Sequence, residues 1–128
     1  VGAVAHYYAR LGAPIHARAF TANIARRKMQ EHGNPEKAVH IASTWPATVK
    51  AGPFTVGFVP ISHSIPESSG LVIDSAGGRI VHTGDFKIDV NPVVGEPFDR
   101  DLWASLSIWS RPPRGCLCAP LLPATSPA

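Results

Sequence analysis

Two short stretches of this sequence carry the side chains best suited to chemistry. The first is Ser62-His63-Ser64-Ile65-Pro66-Glu67 and the second is His82-Thr83-Gly84-Asp85-Phe86-Lys87. A neutral imidazole on a loop at a strand end is a common zinc ligand, and a carboxylate can bridge two metal ions about 3.5–4 Å apart. His63 and Asp85 are therefore candidate metal ligands. We expect His82 to pack in its strand, or to hydrogen-bond to a ligand without binding the metal itself.

Each motif, taken alone, also has an ordinary structural interpretation. A lone histidine in a loop is more often a hydrogen-bonded structural residue than a ligand, and Gly84-Asp85 after a strand is usually a turn. Lys87 is most simply an exposed surface lysine. It could also balance the negative charge of a nearby carboxylate or contact a phosphate. The sequence has no convincing nucleophile with a paired base and no glycine-rich phosphate loop. We therefore assign no catalytic side chain.

Three closely spaced strands must position both motifs. Apolar residues alternate over residues 54–61, and two more strands are predicted over residues 71–73 and 79–82, with a glycine turn between them. His63 follows the first of these strands and Asp85 follows the third. Neighbouring strand ends would thus supply both candidate ligands.

Helices are predicted before and after these strands. They cover residues 1–11, 22–32 and 99–106, and short strands are expected over residues 14–17 and 38–42. Thr21 and Asp99 are the expected N-caps of the second and third helices. Helices followed by closely spaced strands predict a mixed α/β layer in which the helices pack on one sheet.

The composition fits one globular domain. The 128 residues are 45% hydrophobic and 16% charged, with a net charge of +3 that permits but does not require contact with a polyanion. No apolar run is long enough to span a membrane, so we expect no membrane partner. Cys116 and Cys118 are too close in sequence for an ordinary disulfide, which favours a reducing, cytoplasmic setting.

The two motifs together resemble the ribonuclease J family, in the β-CASP group of metallo-β-lactamase-fold ribonucleases. The resemblance runs from Val1 to about Leu102. It is carried by His63-Ser64-Ile65-Pro66-Glu67, His82-Thr83-Gly84-Asp85-Phe86-Lys87-Ile88-Asp89, Arg10-Leu11-Gly12-Ala13-Pro14-Ile15-His16-Ala17 and Ala51-Gly52-Pro53-Phe54. It implies an α/β fold, namely part of the metallo-β-lactamase αββα sandwich with helices packed on a mixed sheet. It also implies a zinc-dependent hydrolase of RNA phosphodiesters, acting as an endonuclease or a 5′-to-3′ exonuclease, in which His63 binds one of two zinc ions and Asp85 bridges both.

The sequence also departs from the family pattern. The family's main metal motif, His-x-His-x-Asp-His, would directly precede Val1-Gly2-Ala3, and the RNA-covering insertion and a later histidine ligand are not found. We therefore expect an incomplete fragment that is inactive alone, because two ligands cannot fix two ions. After Leu102 the pattern is lost, which predicts a partial metallo-β-lactamase-like domain over residues 1–102 and a divergent, disordered tail over residues 103–128.

The expected partner of the intact family site is RNA, and the fragment could also self-associate or dock on a full-length relative. Two alternatives remain open at this point. One is another hydrolase of the same fold, and the other is a non-catalytic remnant or interaction module. A nucleic-acid-binding module ranks third, because it rests only on the mild positive charge and on the basic cluster Arg26-Arg27-Lys28, which is more simply a solvated helix face.

Overall fold

The structure is a computed structural model that describes residues 1–107; Cys116, Cys118 and most of the predicted tail lie outside this range. Within it, helices span Val4–Leu11 (α1), Ala19–Glu31 (α2) and Arg100–Ser107 (α3), and a short 3₁₀ helix spans Glu36–Ala38. Strands span Ile15–Ala17 (β1), Val39–Ile41 (β2), Thr48–Ala51 (β3), Phe54–Pro60 (β4), Ser69–Ser75 (β5) and Gly78–His82 (β6). No helix in residues 1–107 has the length and apolar character needed to cross a membrane.

The first half of the chain forms a helical layer, made of α1, β1, α2 and β2. Strands β1 and β2 pair in parallel, so that His16 lies beside His40. Small side chains let the helices approach these strands closely. They form an apolar cluster of Ala5, Ala17, Ala22, Ala25, Met29 and Val39. Burying this face supplies the main packing energy of the layer.

The second half forms a sheet layer, made of β3, β4, β5, β6 and α3. The four strands are antiparallel and lie in chain order, so each pairs with its neighbour in sequence. Helix α3 packs on this sheet through Trp103, whose indole N–H donates to the Pro60 carbonyl at 3.0 Å. The layer has its own apolar cluster, formed by Val59, Ile61, Val72, Trp103 and Leu106.

A bidentate ion pair crosses the β5–β6 hairpin. Asp74 and Arg79 are partners in the strand register, and the guanidinium contacts the two carboxylate oxygens at 2.7 and 3.0 Å. These hydrogen bonds hold the pKa of the Asp74 carboxyl below its usual range and raise the pKa of Arg79. The pair thereby favours the paired register of this hairpin.

The two layers meet through the segment after β2. The Trp45 N–H donates to the Phe58 carbonyl at 2.7 Å, and Thr44 forms a parallel bridge to Phe58. Within residues 1–107, the apolar clusters of the two layers have no residue in common. Hydrogen bonds are thus among the contacts that join the two layers.

Most predicted elements are confirmed, and the fold class is the expected α/β arrangement. The Asp99 carboxylate accepts the Leu102 N–H at 2.9 Å, as expected of an N-cap. Strand β3 was not predicted. The prediction of one sheet was wrong, because β1 and β2 form a second sheet, whose strands are parallel. Helix α3 continues through the proposed domain boundary at Leu102, and the division into residues 1–102 and 103–128 stays a prediction.

The predicted start of the second helix was wrong. Helix α2 begins at Ala19, so Thr21 lies inside its first turn instead of capping it. Its N-cap residue, Arg18, makes no side-chain cap hydrogen bond. The reason is that the cap comes from a distant residue: the Glu67 carboxylate accepts the Phe20 N–H at 2.6 Å.

Candidate metal centre

His63 lies in a tight loop that follows β4. The Ile61 N–H donates to the Ser68 carbonyl at 3.1 Å and closes the loop, while Ser62 is buried at its base. The Nδ1 atom of His63 is buried and has no hydrogen-bond partner among the described residues. Leaving a buried polar atom without a partner costs about 1–3 kcal/mol of folding free energy. A metal ion, or a further hydrogen-bonding group, bound at this nitrogen would remove that cost.

Asp85 lies in the turn that follows β6. Gly84 has φ 64°, a left-handed conformation that glycine adopts at little cost, and the backbone bends there directly after the strand. The Gly84 N–H donates to Nδ1 of His82 at 3.1 Å. His82 thus supports the turn that carries Asp85 and commits one ring nitrogen to it.

Strand order brings the two loops together. Strand β5 is antiparallel to both β4 and β6, so β4 and β6 run in the same direction and end at the same edge of the sheet. The Lys87 N–H donates to the Ser62 carbonyl at 2.7 Å and joins the loops directly. The expected meeting of the His63 and Asp85 loops is therefore present.

Both candidate ligands line one open cleft of about 430 Å³. His82 also lines it, and the helical layer contributes His16, Ala17, Arg18 and Thr21. The ionisable side chains that line the cleft are His63, His82, Asp85, Glu67, His16 and Arg18. The basic cluster is not part of it: Arg26 donates to the Val39 carbonyl and Lys28 pairs with Glu31 on the helix surface.

The donor types in the cleft fit zinc, but the set is incomplete. Imidazole nitrogen and carboxylate oxygen are both ordinary zinc ligands. Within residues 1–107, however, no group of three or more His, Cys, Asp or Glu side chains is arranged to hold a metal ion. His63 and Asp85 alone therefore do not make a complete metal site within the described residues, and their role as ligands stays a prediction.

Three ionisable residues of the cleft, Glu67, Arg18 and His16, were not singled out from sequence. Glu67, at the end of the first motif, binds the N-terminus of α2, and Arg18 lies 3.6 Å from its carboxylate. The ring of His16 stacks on that of His40, with 5.2 Å between the ring centroids. It nevertheless also lines the cleft. For Glu67, the sequence signal that could have indicated a place in the cleft was its position at the end of the first motif.

Comparison with known proteins gives a consistent set of relatives. No protein-family model matches the chain. It is 36% identical to ribonuclease J of Corynebacterium glutamicum over 86 residues, which is 67% of this chain and 12% of the relative. It is 38% identical to ribonuclease J of Sinorhizobium meliloti over 100 residues, which is 77% of this chain and 18% of the relative. It is 33% identical to ribonuclease J 1 of Streptococcus pyogenes over 106 residues, or 83% and 19% of the two chains. The chain thus spans less than a fifth of the length of these curated relatives.

Proposed function

This chain belongs to the ribonuclease J family, whose fold is the metallo-β-lactamase fold, and from that premise we propose that it forms part of a zinc-dependent ribonuclease. The substrate class is the RNA phosphodiester. One observation carries the proposal: His63, with a buried and unpaired Nδ1, shares a cleft with Asp85 at a single sheet edge. The proposal also rests on sequence: His63 and Asp85 belong to the two motifs that carry the resemblance to the family.

In this proposal His63 and Asp85 would be zinc ligands, supplying an imidazole nitrogen and a carboxylate oxygen. Zinc bound there would supply Lewis-acid chemistry, activating water and offsetting charge on the phosphoryl oxygens. The chain's own contribution is to place the two ligands. The hydrogen bond from Lys87 to Ser62 fixes the spacing of their loops, and His82 holds the turn before Asp85.

We further propose that the chain alone does not hydrolyse RNA. Zinc affinity depends on the number and geometry of ligands, and a catalytic site usually takes three protein ligands per ion. His63 and Asp85 are too few by that measure. A segment with a His-x-His-x-Asp-His motif, in the same polypeptide or in another, would supply the further ligands that hydrolysis requires.

Complementation tests this function directly. The purified chain is dialysed with and without a segment of a relative that carries the missing motif, and its zinc content and RNA cleavage are then measured. We expect zinc retention and cleavage only in the mixture, and both should be lost in His63→Ala and Asp85→Ala. His6→Ala is the matched control, because His6 lies in α1, outside the cleft.

The results separate the proposed function from its alternatives. A mixture that retains no zinc, or that retains it equally in both ligand variants, would reject the proposed ligands. Zinc retention in the mixture without cleavage of RNA would instead favour another hydrolase of the same fold.

A further inference from the structure

We infer that Glu67 is a positioning residue for His63, because its carboxylate ties the His63 loop to the first turn of α2. The inference rests on the proposed function, since His63 matters as a zinc ligand. It concerns a different residue and a different kind of contact. Glu67 itself is assigned no bond to metal or to RNA.

The first contact is between Glu67 and the start of α2. Its Oε2 accepts the Phe20 N–H at 2.6 Å. Phe20 is the second residue of α2, where backbone N–H groups have no partner within the helix. Arg18, at the N-cap, supplies no side-chain acceptor, so the carboxylate of Glu67 takes that role from another layer. Its negative charge also suits the positive end of the helix dipole.

The second contact engages the other carboxylate oxygen. Oε1 of Glu67 lies 3.6 Å from the Arg18 guanidinium, and both side chains are largely shielded from solvent, at 34% and 20% exposed. Arg18 is itself held in place, because it donates to the Ala42 carbonyl at 2.9 Å, just after β2. Glu67 is thereby fixed against two elements of the helical layer.

The backbone of Glu67 shows that its position is imposed by its surroundings. Glu67 has φ 55°, a left-handed conformation that is unfavourable for a non-glycine residue. Such a conformation persists only where surrounding contacts determine it. Here the Ser69 hydroxyl donates to the Glu67 carbonyl at 3.2 Å, next to the carboxylate contacts with α2.

The loop transmits this placement to His63, which lies four residues before Glu67. The loop is internally braced, because the Ser68 hydroxyl donates to the Ile65 carbonyl at 3.1 Å and the Ile61 N–H donates to the Ser68 carbonyl at 3.1 Å. A movement of Glu67 away from α2 therefore shifts the whole loop. Within residues 1–107 the two apolar clusters share no residue, so the contacts of Glu67 are a separate link between the layers.

The test compares Glu67→Ala with Glu67→Gln in the zinc-free chain. One readout is hydrogen exchange at the Phe20 amide, and the other is the NMR signal of the His63 ring. Alanine removes the acceptor, so we expect exchange at Phe20 to rise about tenfold, together with a displaced His63 signal. Glutamine keeps an acceptor oxygen, and it should restore both readouts towards the wild type.

Glu31→Ala is the matched control. Glu31 lies at the other end of α2 and pairs with Lys28 at 2.6 Å and Arg27 at 3.9 Å, all within the same helix. This variant also removes a carboxylate from α2 contacts, but it should leave the His63 signal unchanged.

A purely structural cap predicts a different result. If Glu67→Ala speeds exchange at Phe20 but leaves the His63 signal in place, Glu67 caps the helix without positioning the ligand, and the inference is wrong. In the complemented mixture, loss of positioning should also weaken zinc binding about tenfold. If the complemented mixture of the wild type binds no zinc, the proposed function is rejected. The NMR comparison of the zinc-free variants would still decide the role of Glu67.

Discussion

The backbone N–H of Lys87 donates to the carbonyl oxygen of Ser62 at 2.7 Å. Ser62 directly precedes His63, and Lys87 follows Asp85 by two residues, so a single main-chain contact joins the loops of both proposed ligands. The spacing of the candidate site is therefore determined by backbone pairing. The side chains of His63 and Asp85 need not contact each other to be held together.

Removing that hydrogen bond should weaken zinc binding. Proline at position 87 has no N–H, so we expect Lys87→Pro to free the Asp85 loop and to lower zinc affinity of the complemented site about tenfold. Lys87→Ala keeps the backbone donor and serves as the control. Zinc titration of both variants measures the effect, and equal affinities would show that the contact does not position Asp85.

Gly70→Ala should destabilise the sheet layer. A Cβ at Gly70 would lie 2.7 Å from the His82 carbonyl and would overlap the Trp103 ring. Overpacking of this kind costs about 1–3 kcal/mol in the free energy of unfolding, which urea denaturation measures. Gly77→Ala is the control, because a Cβ there meets nothing closer than 3.7 Å. A Gly70→Ala variant as stable as this control would contradict the packing described.

Trp103→Phe should cost about 1–3 kcal/mol of stability. The substitution keeps an aromatic ring in the cluster but leaves the Pro60 carbonyl without the indole donor that lies 3.0 Å away. Trp103→Ala should cost more, about 3–5 kcal/mol, since it also empties the apolar contact with the sheet. Thermal or urea unfolding gives both values. Equal stability of wild type and Trp103→Phe would mean that the hydrogen bond contributes nothing.

The Asp74–Arg79 pair should make stability depend on pH below neutrality. The hydrogen bonds from Arg79 lower the pKa of the folded Asp74 carboxyl below its usual 3.8. A lowered folded pKa stabilises the fold above pH 3.8, and this contribution is lost as the pH falls through the folded value. Because the side chains are 39% and 28% exposed, the effect should stay under about 1 kcal/mol.

Comparison with Asp74→Asn measures this contribution. The difference in unfolding free energy between wild type and variant should be largest at neutral pH and should shrink as the pH falls below 3.8. A difference that stays constant across this range would exclude the ion pair as its source.

The core of the candidate site could be predicted because it depends on local pattern. Strands β4, β5 and β6 follow one another in the chain and pair in that order. Recognising where β4 and β6 end was therefore enough to place His63 and Asp85 at one sheet edge. Their residue types predict metal binding, which stays a prediction.

The rest of the site depends on contacts between distant segments, which local pattern does not contain. Phe20 and Glu67 lie 47 residues apart in sequence. Their hydrogen bond caps a helix that begins at Ala19, whereas the sequence predicted a start after an N-cap at Thr21. Strand β3 was missed for another reason: it has four mostly exposed residues and little apolar signal. Its pairing with β4 creates a strand that its own composition does not favour.

The sequential strand order of the four-stranded sheet has a consequence for the order in which the chain folds. Each strand pairs with the next, so the sheet forms through short loop closures, which have a small entropy cost. The contact between Phe20 and Glu67 instead closes a loop of 47 residues. This topology favours early formation of the hairpins that carry His63 and Asp85, followed by docking of the helices. The two ligand loops would then meet during hairpin formation, and the cleft around them would be completed last.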